Sequence, residues 1–151
     1  GPFGSGKTTA CIAEAFRRIQ EQAPDADGIR RSRGVVIRST YRQLQSTTAQ
    51  SWRSWFGDAF GDFTWSDPFQ HRMRFGLADG TRVEADIVFL ALDGAEAEAK
   101  LRGLEVSWAW VNECREIPKG VFSFLTGRVG RYPAMRDGTN IRGMLIYDHA
   151  S

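Results

Sequence analysis

Gly1-Pro2-Phe3-Gly4-Ser5-Gly6-Lys7-Thr8 opens the chain. The stretch has the form G-x-x-x-x-G-K-[ST], a loop that joins a buried parallel strand to a helix. Glycines at 1, 4 and 6 let the backbone turn tightly and aim its N–H groups at phosphate oxygens. Lys7 supplies a point charge for the β- and γ-phosphates, and the Thr8 hydroxyl supplies a ligand for Mg²⁺. The expected nucleotide-binding set is therefore Gly1, Gly4, Ser5, Gly6, Lys7, Thr8 and Thr9, with ATP and Mg²⁺ as cofactors. Because the loop starts on the first residue, the strand it should follow is expected to be missing. Residues 1–151 then form a single, partial P-loop domain.

Working outward, Ile12, Phe16 and Ile19 recur at i, i+4 and i+7, which predicts an amphipathic helix over residues 7–22. Its positive end points at the phosphate loop. Residues 23–28, with Pro24, Asp25 and Gly28, read as a turn, and residues 34–40 as a short buried strand ending in polar groups. A second helix is expected over residues 41–60, with Leu44, Thr48, Trp52, Trp55, Phe56 and Phe60 on one side as core. Residues 71–92 alternate as a hairpin about Asp79-Gly80, the second strand ending in the continuously apolar run 88–92. Arg72 and Arg74 read as a solvated strand face. An exposed helix over 95–102, a strand over 105–113, a short helix or loop over 118–125 and a strand over 143–147 complete the pattern. The sum is an α/β fold of the P-loop NTPase type, a mostly parallel sheet flanked by helices with one antiparallel hairpin.

Composition sets wide bounds. A chain of 151 residues that is 42% hydrophobic can bury a core, and a net charge of +2 permits contact with nucleic acid without requiring it. No run of about 18 apolar residues is present, so no membrane span is expected. Cys11 and Cys114 make neither a disulfide framework nor a zinc site, and His71 and His149 stand without partners at metal or triad spacing.

A second constellation lies about a hundred residues after the loop. Residues 106–113, Val-Ser-Trp-Ala-Trp-Val-Asn-Glu, are an apolar strand ending in Asn112-Glu113. In a P-loop ATPase such a strand tip carries an acidic or amide group for the Mg²⁺ shell, then a glutamate that polarises the attacking water. Asn112 is thus the expected second metal-shell residue beside Thr8, and Glu113 the expected catalytic base. Asn112 stands where Asp is usual, and its amide brings no negative charge.

Three further runs carry a family resemblance: Lys100-Leu101-Arg102-Gly103-Leu104-Glu105, Trp108 through Pro118, and Gly127-Arg128-Val129-Gly130-Arg131-Tyr132-Pro133. With residues 37–44 they resemble the ATPase domain of phage large terminase subunits. The resemblance implies a motor that hydrolyses ATP to drive double-stranded DNA into a capsid. It further implies a homo-oligomeric ring docked on the portal protein, a small terminase subunit as partner, and the cytoplasm of a bacterial host as its place of work. An arginine placed like Arg102 acts in some members on a neighbour's ATP, so Arg102 joins Lys7 and Glu113 in the expected catalytic set; Arg128 and Arg131 compete for that role. The C-terminal nuclease domain of the family is not expected within these residues. Asp148 falls at the coupling motif, whereas His149 and Ala150 depart from it. A helicase-like translocase would use the same hydrolysis residues, and a non-catalytic prophage relic that only binds nucleotide would retain the loop.

Overall fold

A computed structural model describes residues 6–66, 68–130, 132 and 144–147; Gly1, Gly4, Ser5, Arg131, Asp148 and His149 lie outside the described residues. Helix α1 (Gly6–Glu21) leads into β1 (Ile29–Arg38). Next come the short helix α2 (Tyr41–Gln43), a π-helical turn (Leu44–Thr48) and α3 (Ala49–Trp55). Strands β2 (Gly61–Thr64), β3 (Phe69–Gly76) and β4 (Arg82–Ala91) follow. Then come α4 (Ala97–Arg102), β5 (Trp108–Val111), α5 (Lys119–Thr126) and β6 (Met144–Tyr147). The strands make one sheet in the order β2-β3-β4-β1-β5-β6. β1 pairs in parallel with β4 and β5, and β5 with β6, while β2–β3 and β3–β4 are antiparallel.

Each face of the sheet has its own core. Ile12, Ala15 and Ile19 of α1 bury their stripe against Val36, Trp108 and Trp110, with Leu44, Trp52 and Phe56 alongside. On the opposite face Val35, Ile37, Leu90, Ala109 and Val111 meet Leu101 of α4 and Leu125 of α5. The indole of Trp52 sits 6.2 Å from that of Trp108 and 4.8 Å from the Phe56 ring, centroid to centroid. Its Nε1–H donates to His71 Nδ1 at 2.9 Å, and His71 Nε2 lies 3.2 Å from the Phe60 carbonyl, so the polar edges of both rings are satisfied inside the core.

The structure departs from the sequence expectations at several places, one of them α4, expected exposed, which buries Ala97 and Leu101. β1 starts at Ile29, not residue 34, because its charged first half is held by partners outside the strand. Arg30 donates to Thr81 Oγ1 at 3.0 Å, to Asp79 Oδ2 at 3.1 Å and to the Gln22 carbonyl at 2.8 Å, while Arg31 reaches Asp25 at 3.1 Å. The helix expected over 41–60 is interrupted and ends at Trp55. Ser46 and Thr47 hydroxyls donate to the carbonyls of Arg42 and Gln43 at 2.8 and 2.7 Å, competing with the helical ladder, and the Ala49 N–H bonds the Leu44 carbonyl, a π turn. The turn shifts the helical phase, so Trp55 is 49% exposed while Trp52 is buried. Phe56 is extended, and Arg53 Nη1 donates to its carbonyl at 2.9 Å, closing the helix end.

β2 has no counterpart in the sequence expectations. It is a four-residue edge strand entered through Gly61 at φ 100°, too short to give a periodic signal. β5 is the four residues Trp108–Val111 and not 105–113, with Val106 forming an isolated bridge to Val129. The hairpin about Asp79-Gly80 is as expected, with Gly80 at φ 88°. Arg74 on its outer face pairs with Asp86 at 2.9 Å and Glu84 at 3.5 Å. Neither Cys11 nor Cys114 is in a disulfide. Among the described residues no helix is long and apolar enough to cross a membrane.

Two tests follow from the core. A Cβ at Gly34 would lie 2.1 Å from Cζ2 of the fully buried Trp108. Gly34→Ala is therefore expected to cost about 2 kcal/mol or more, read as a lower urea midpoint. Burial pushes the pKa of His71 from 6.5 down to about 4. The folded state thus holds imidazole neutral, and its stability contribution is complete above pH 6.5 and is lost as pH falls toward 4, on the order of 3 kcal/mol. Urea titrations between pH 7 and 4 should show that decline, and His71→Gln should flatten it.

Candidate functional site

Two chain segments lie at the carboxyl end of the parallel strands: the tips of β1 and β5, and the head of α1. β1 and β5 pair with Ile37 opposite Val111, so Arg38 and Asn112 are the next pair along the ladder. The Asn112 N–H donates to the Ile37 carbonyl at 2.9 Å. Strand alternation puts Val36 and Trp110 in the core under α1, and Ile37 and Val111 in the core under α4 and α5. Arg38 and Asn112 therefore return to the α1 face. There Arg38 Nη1 donates to Asn112 Oδ1 at 3.0 Å, Thr48 Oγ1 at 3.1 Å and Thr47 Oγ1 at 2.8 Å. The Thr48 hydroxyl donates to the same Asn112 Oδ1 at 2.6 Å. Arg38, Thr48 and Asn112 are all buried.

Glu113 follows at once, with φ 57° and ψ 61°, the one left-handed non-glycine among the described residues. An extended residue here would project to the α5 face; the left-handed backbone breaks that alternation and turns the chain into the 114–116 turn, closed by Glu116 N–H to the Glu113 carbonyl at 3.0 Å. Such a conformation costs a glutamate about 1–2 kcal/mol and is found disproportionately at functional sites. Beside it, the Ser39 hydroxyl donates to the Glu116 carboxylate at 2.7 Å and lies 2.8 Å from Gln43 Oε1. Gln43 N–H in turn caps α2 on Thr40 Oγ1 at 3.2 Å.

The other segment is the start of α1. Its far end is tied to the entry of β1 by Arg30 donating to the Gln22 carbonyl, and its buried stripe lies along the sheet. The first turn, with Gly6, Lys7, Thr8 and Thr9, thus faces the carboxyl edge. Lys7 is exposed and Thr8 and Thr9 are half-buried. Thr8, Thr9 and Ile12 line one wall of a cleft of about 280 Å³, whose other wall is Gln50, Ser51, Ser54 and Trp55 of α3.

The remaining expected residues are placed less centrally. Arg102 is on α4, two-thirds exposed, and pairs with Glu98 one turn back. The Arg128 guanidinium lies 4.9 Å from the Phe124 ring centroid. Sequence reasoning assigns no role to Arg38, Thr47, Thr48, Ser39 or Glu116. A signal is available: 38–40, Arg-Ser-Thr, end an apolar strand as abruptly as Asn112-Glu113 end theirs, and polar strand ends at a parallel carboxyl edge are where ligands bind.

The groups at this edge bear on the expected cofactors, ATP and Mg²⁺. Among the described residues no cluster of three or more His, Cys, Asp or Glu could cage a metal alone. The oxygen groups near the edge are the Thr8 hydroxyl, single carboxylates and the Asn112 amide, whose Oδ1 already accepts from Arg38 and Thr48, so a Mg²⁺ ion here would be carried mainly on phosphates. The helix N-terminus and Lys7 would supply the positive charge that phosphates require.

The comparisons bear on fold and family. A family model described as terminase large subunit, T4likevirus-type, N-terminal matches residues 1–126. A solved structure of the large terminase from a thermophilic bacteriophage superposes with a TM-score of 0.59 at 8% sequence identity. The match covers 91% of this chain and 29% of that one, so the chain spans under a third of that protein's length. At this identity the likeness speaks for the fold alone. A search of curated proteins gives no match.

The left-handed Glu113 generates its own test. Glu113→Gly removes the Cβ conflict and is expected to stabilise the fold by about 1 kcal/mol, measured by urea unfolding beside Glu113→Ala. A destabilised Glu113→Gly would contradict the strain at this corner.

Proposed function

This chain belongs to the terminase large subunit family, T4likevirus type, over the N-terminal part of that family, and we propose that it is the ATP-hydrolysing core of a DNA-packaging motor. The family has a role in phage DNA packaging; hydrolysis by this chain is our reading. What supports it is that α1 runs back along β1, so that its head, with Lys7 and Thr8, lies at the same end of the sheet as Asn112-Glu113 after β5.

In this reading Gly1, Gly4, Ser5, Gly6 and Thr9 cradle the phosphates through backbone N–H groups and hydroxyls, and Lys7 neutralises their charge. Bound Mg²⁺ would offset the negative charge that develops on the phosphates. Thr8 offers it a hydroxyl. Asn112 supports its shell from behind, since Asn112 Oδ1 already accepts from Arg38 and Thr48. Glu113 orients the attacking water and accepts its proton as the terminal P–O bond breaks, releasing ADP and inorganic phosphate. Arg102, exposed on α4, acts on the nucleotide of a neighbouring copy in a ring. Double-stranded DNA, the portal protein and the small terminase subunit are the partners of the assembled motor, in the cytoplasm of the bacterial host.

Thermal melting with and without Mg-ATP separates the roles. Wild type and Glu113→Ala should melt a few degrees higher with nucleotide, whereas Lys7→Ala should not shift. An equal shift in Lys7→Ala would remove the loop from nucleotide binding.

A further inference from the structure

Arg38 is the last residue of β1, 9% exposed, and its hydrogen-bond partners are three neutral oxygens on Asn112, Thr47 and Thr48. Removing a guanidinium from water is costly, and neutral acceptors offset less of that cost than a carboxylate would. Its Nε is buried without a hydrogen-bond partner, which adds to the cost. An apolar side chain of similar size would cover the same sheet end at lower cost, so stability alone does not account for an arginine here.

The partners do account for it. Asn112 immediately precedes the left-handed Glu113, and its backbone N–H and side-chain Oδ1 are both tied to β1, by Ile37 and Arg38. Thr47 and Thr48 are consecutive residues of the π turn, and one arginine nitrogen reaches both. A single arginine nitrogen thereby joins the turn between α2 and α3 to the corner from which Glu113 departs. A strained corner keeps its geometry only while its surroundings hold it.

We propose that Arg38 is a positioning residue of the hydrolysis site, fixing Glu113 through Asn112 and braced by Thr47 and Thr48 on the π turn. The proposal rests on the hydrolysis reading given above, but the brace itself is testable without turnover. Lysine keeps the charge but is one atom shorter, so its Nζ falls short of the three oxygens that Nη1 reaches. Asn112→Leu removes the acceptor. Asn112→Asp keeps an acceptor oxygen and pairs with the guanidinium.

The test is amide hydrogen exchange over residues 112–117, with ATP turnover measured on the same proteins. Arg38→Lys and Asn112→Leu should speed exchange in 112–117 about tenfold, with α1 unchanged, and the exchange of Asn112→Asp should stay close to wild type. Turnover of Arg38→Lys should fall about 100-fold in kcat, with the KM for ATP within about twofold. Unchanged exchange at 112–117 in Arg38→Lys, or acceleration spread evenly over the chain, would overturn the brace. Local acceleration with kcat intact would overturn its role in hydrolysis. If wild type itself shows no Lys7-dependent turnover, the hydrolysis reading fails, while the exchange result still decides whether Arg38 holds the corner.

Discussion

The parallel ladder between β1 and β5 is the constraint on which the site depends. Its register is set at one end by Gly34 opposite Trp108, where only a residue without a Cβ leaves room for the indole. A slip by one residue would press that ring against Arg33 or Val35 and turn every side chain of β5 to the wrong face. With the register fixed, Arg38 and Asn112 necessarily become neighbours at the other end, and the Asn112 N–H finds the Ile37 carbonyl. Packing in the core and chemistry at the edge are thus two ends of one four-residue pairing.

The edge is built against local preference. A guanidinium is buried among neutral oxygens, a glutamate sits in a left-handed conformation, and a helix widens to a π turn around the same strand ends. Each is unfavourable alone. They persist because the aromatic core beneath, with Trp52 against Phe56, Trp108 and Trp110, stabilises the sheet and α3 on which they stand. Locally unfavourable features gathered where a well-packed sheet ends accord with the reaction site proposed there.

Much of this is legible in the residues. The i, i+4, i+7 stripe of α1, the Asp79-Gly80 hairpin and the apolar tip of β5 follow from periodicity and turn chemistry, and they point to the α/β class and the location of the edge. What the residues conceal is of tertiary origin. The arginines that begin β1 look like loop until Asp79, Thr81 and Asp25 are seen to hold them. The interruption after Gln43 depends on hydroxyls competing for backbone carbonyls, which helical periodicity does not register. Arg38 looks like a polar strand end because its partners are 9, 10 and 74 residues away. The chemistry of the phosphate loop is legible only as a motif, and its first five residues lie outside those described.

The most direct test of a nucleotide-hydrolysing motor core is steady-state ATP turnover by this chain, with and without double-stranded DNA, beside Lys7→Ala. The account predicts turnover that double-stranded DNA raises and that Lys7→Ala abolishes. Turnover that survives Lys7→Ala unchanged, or its absence from a folded chain that binds Mg-ATP, would contradict it.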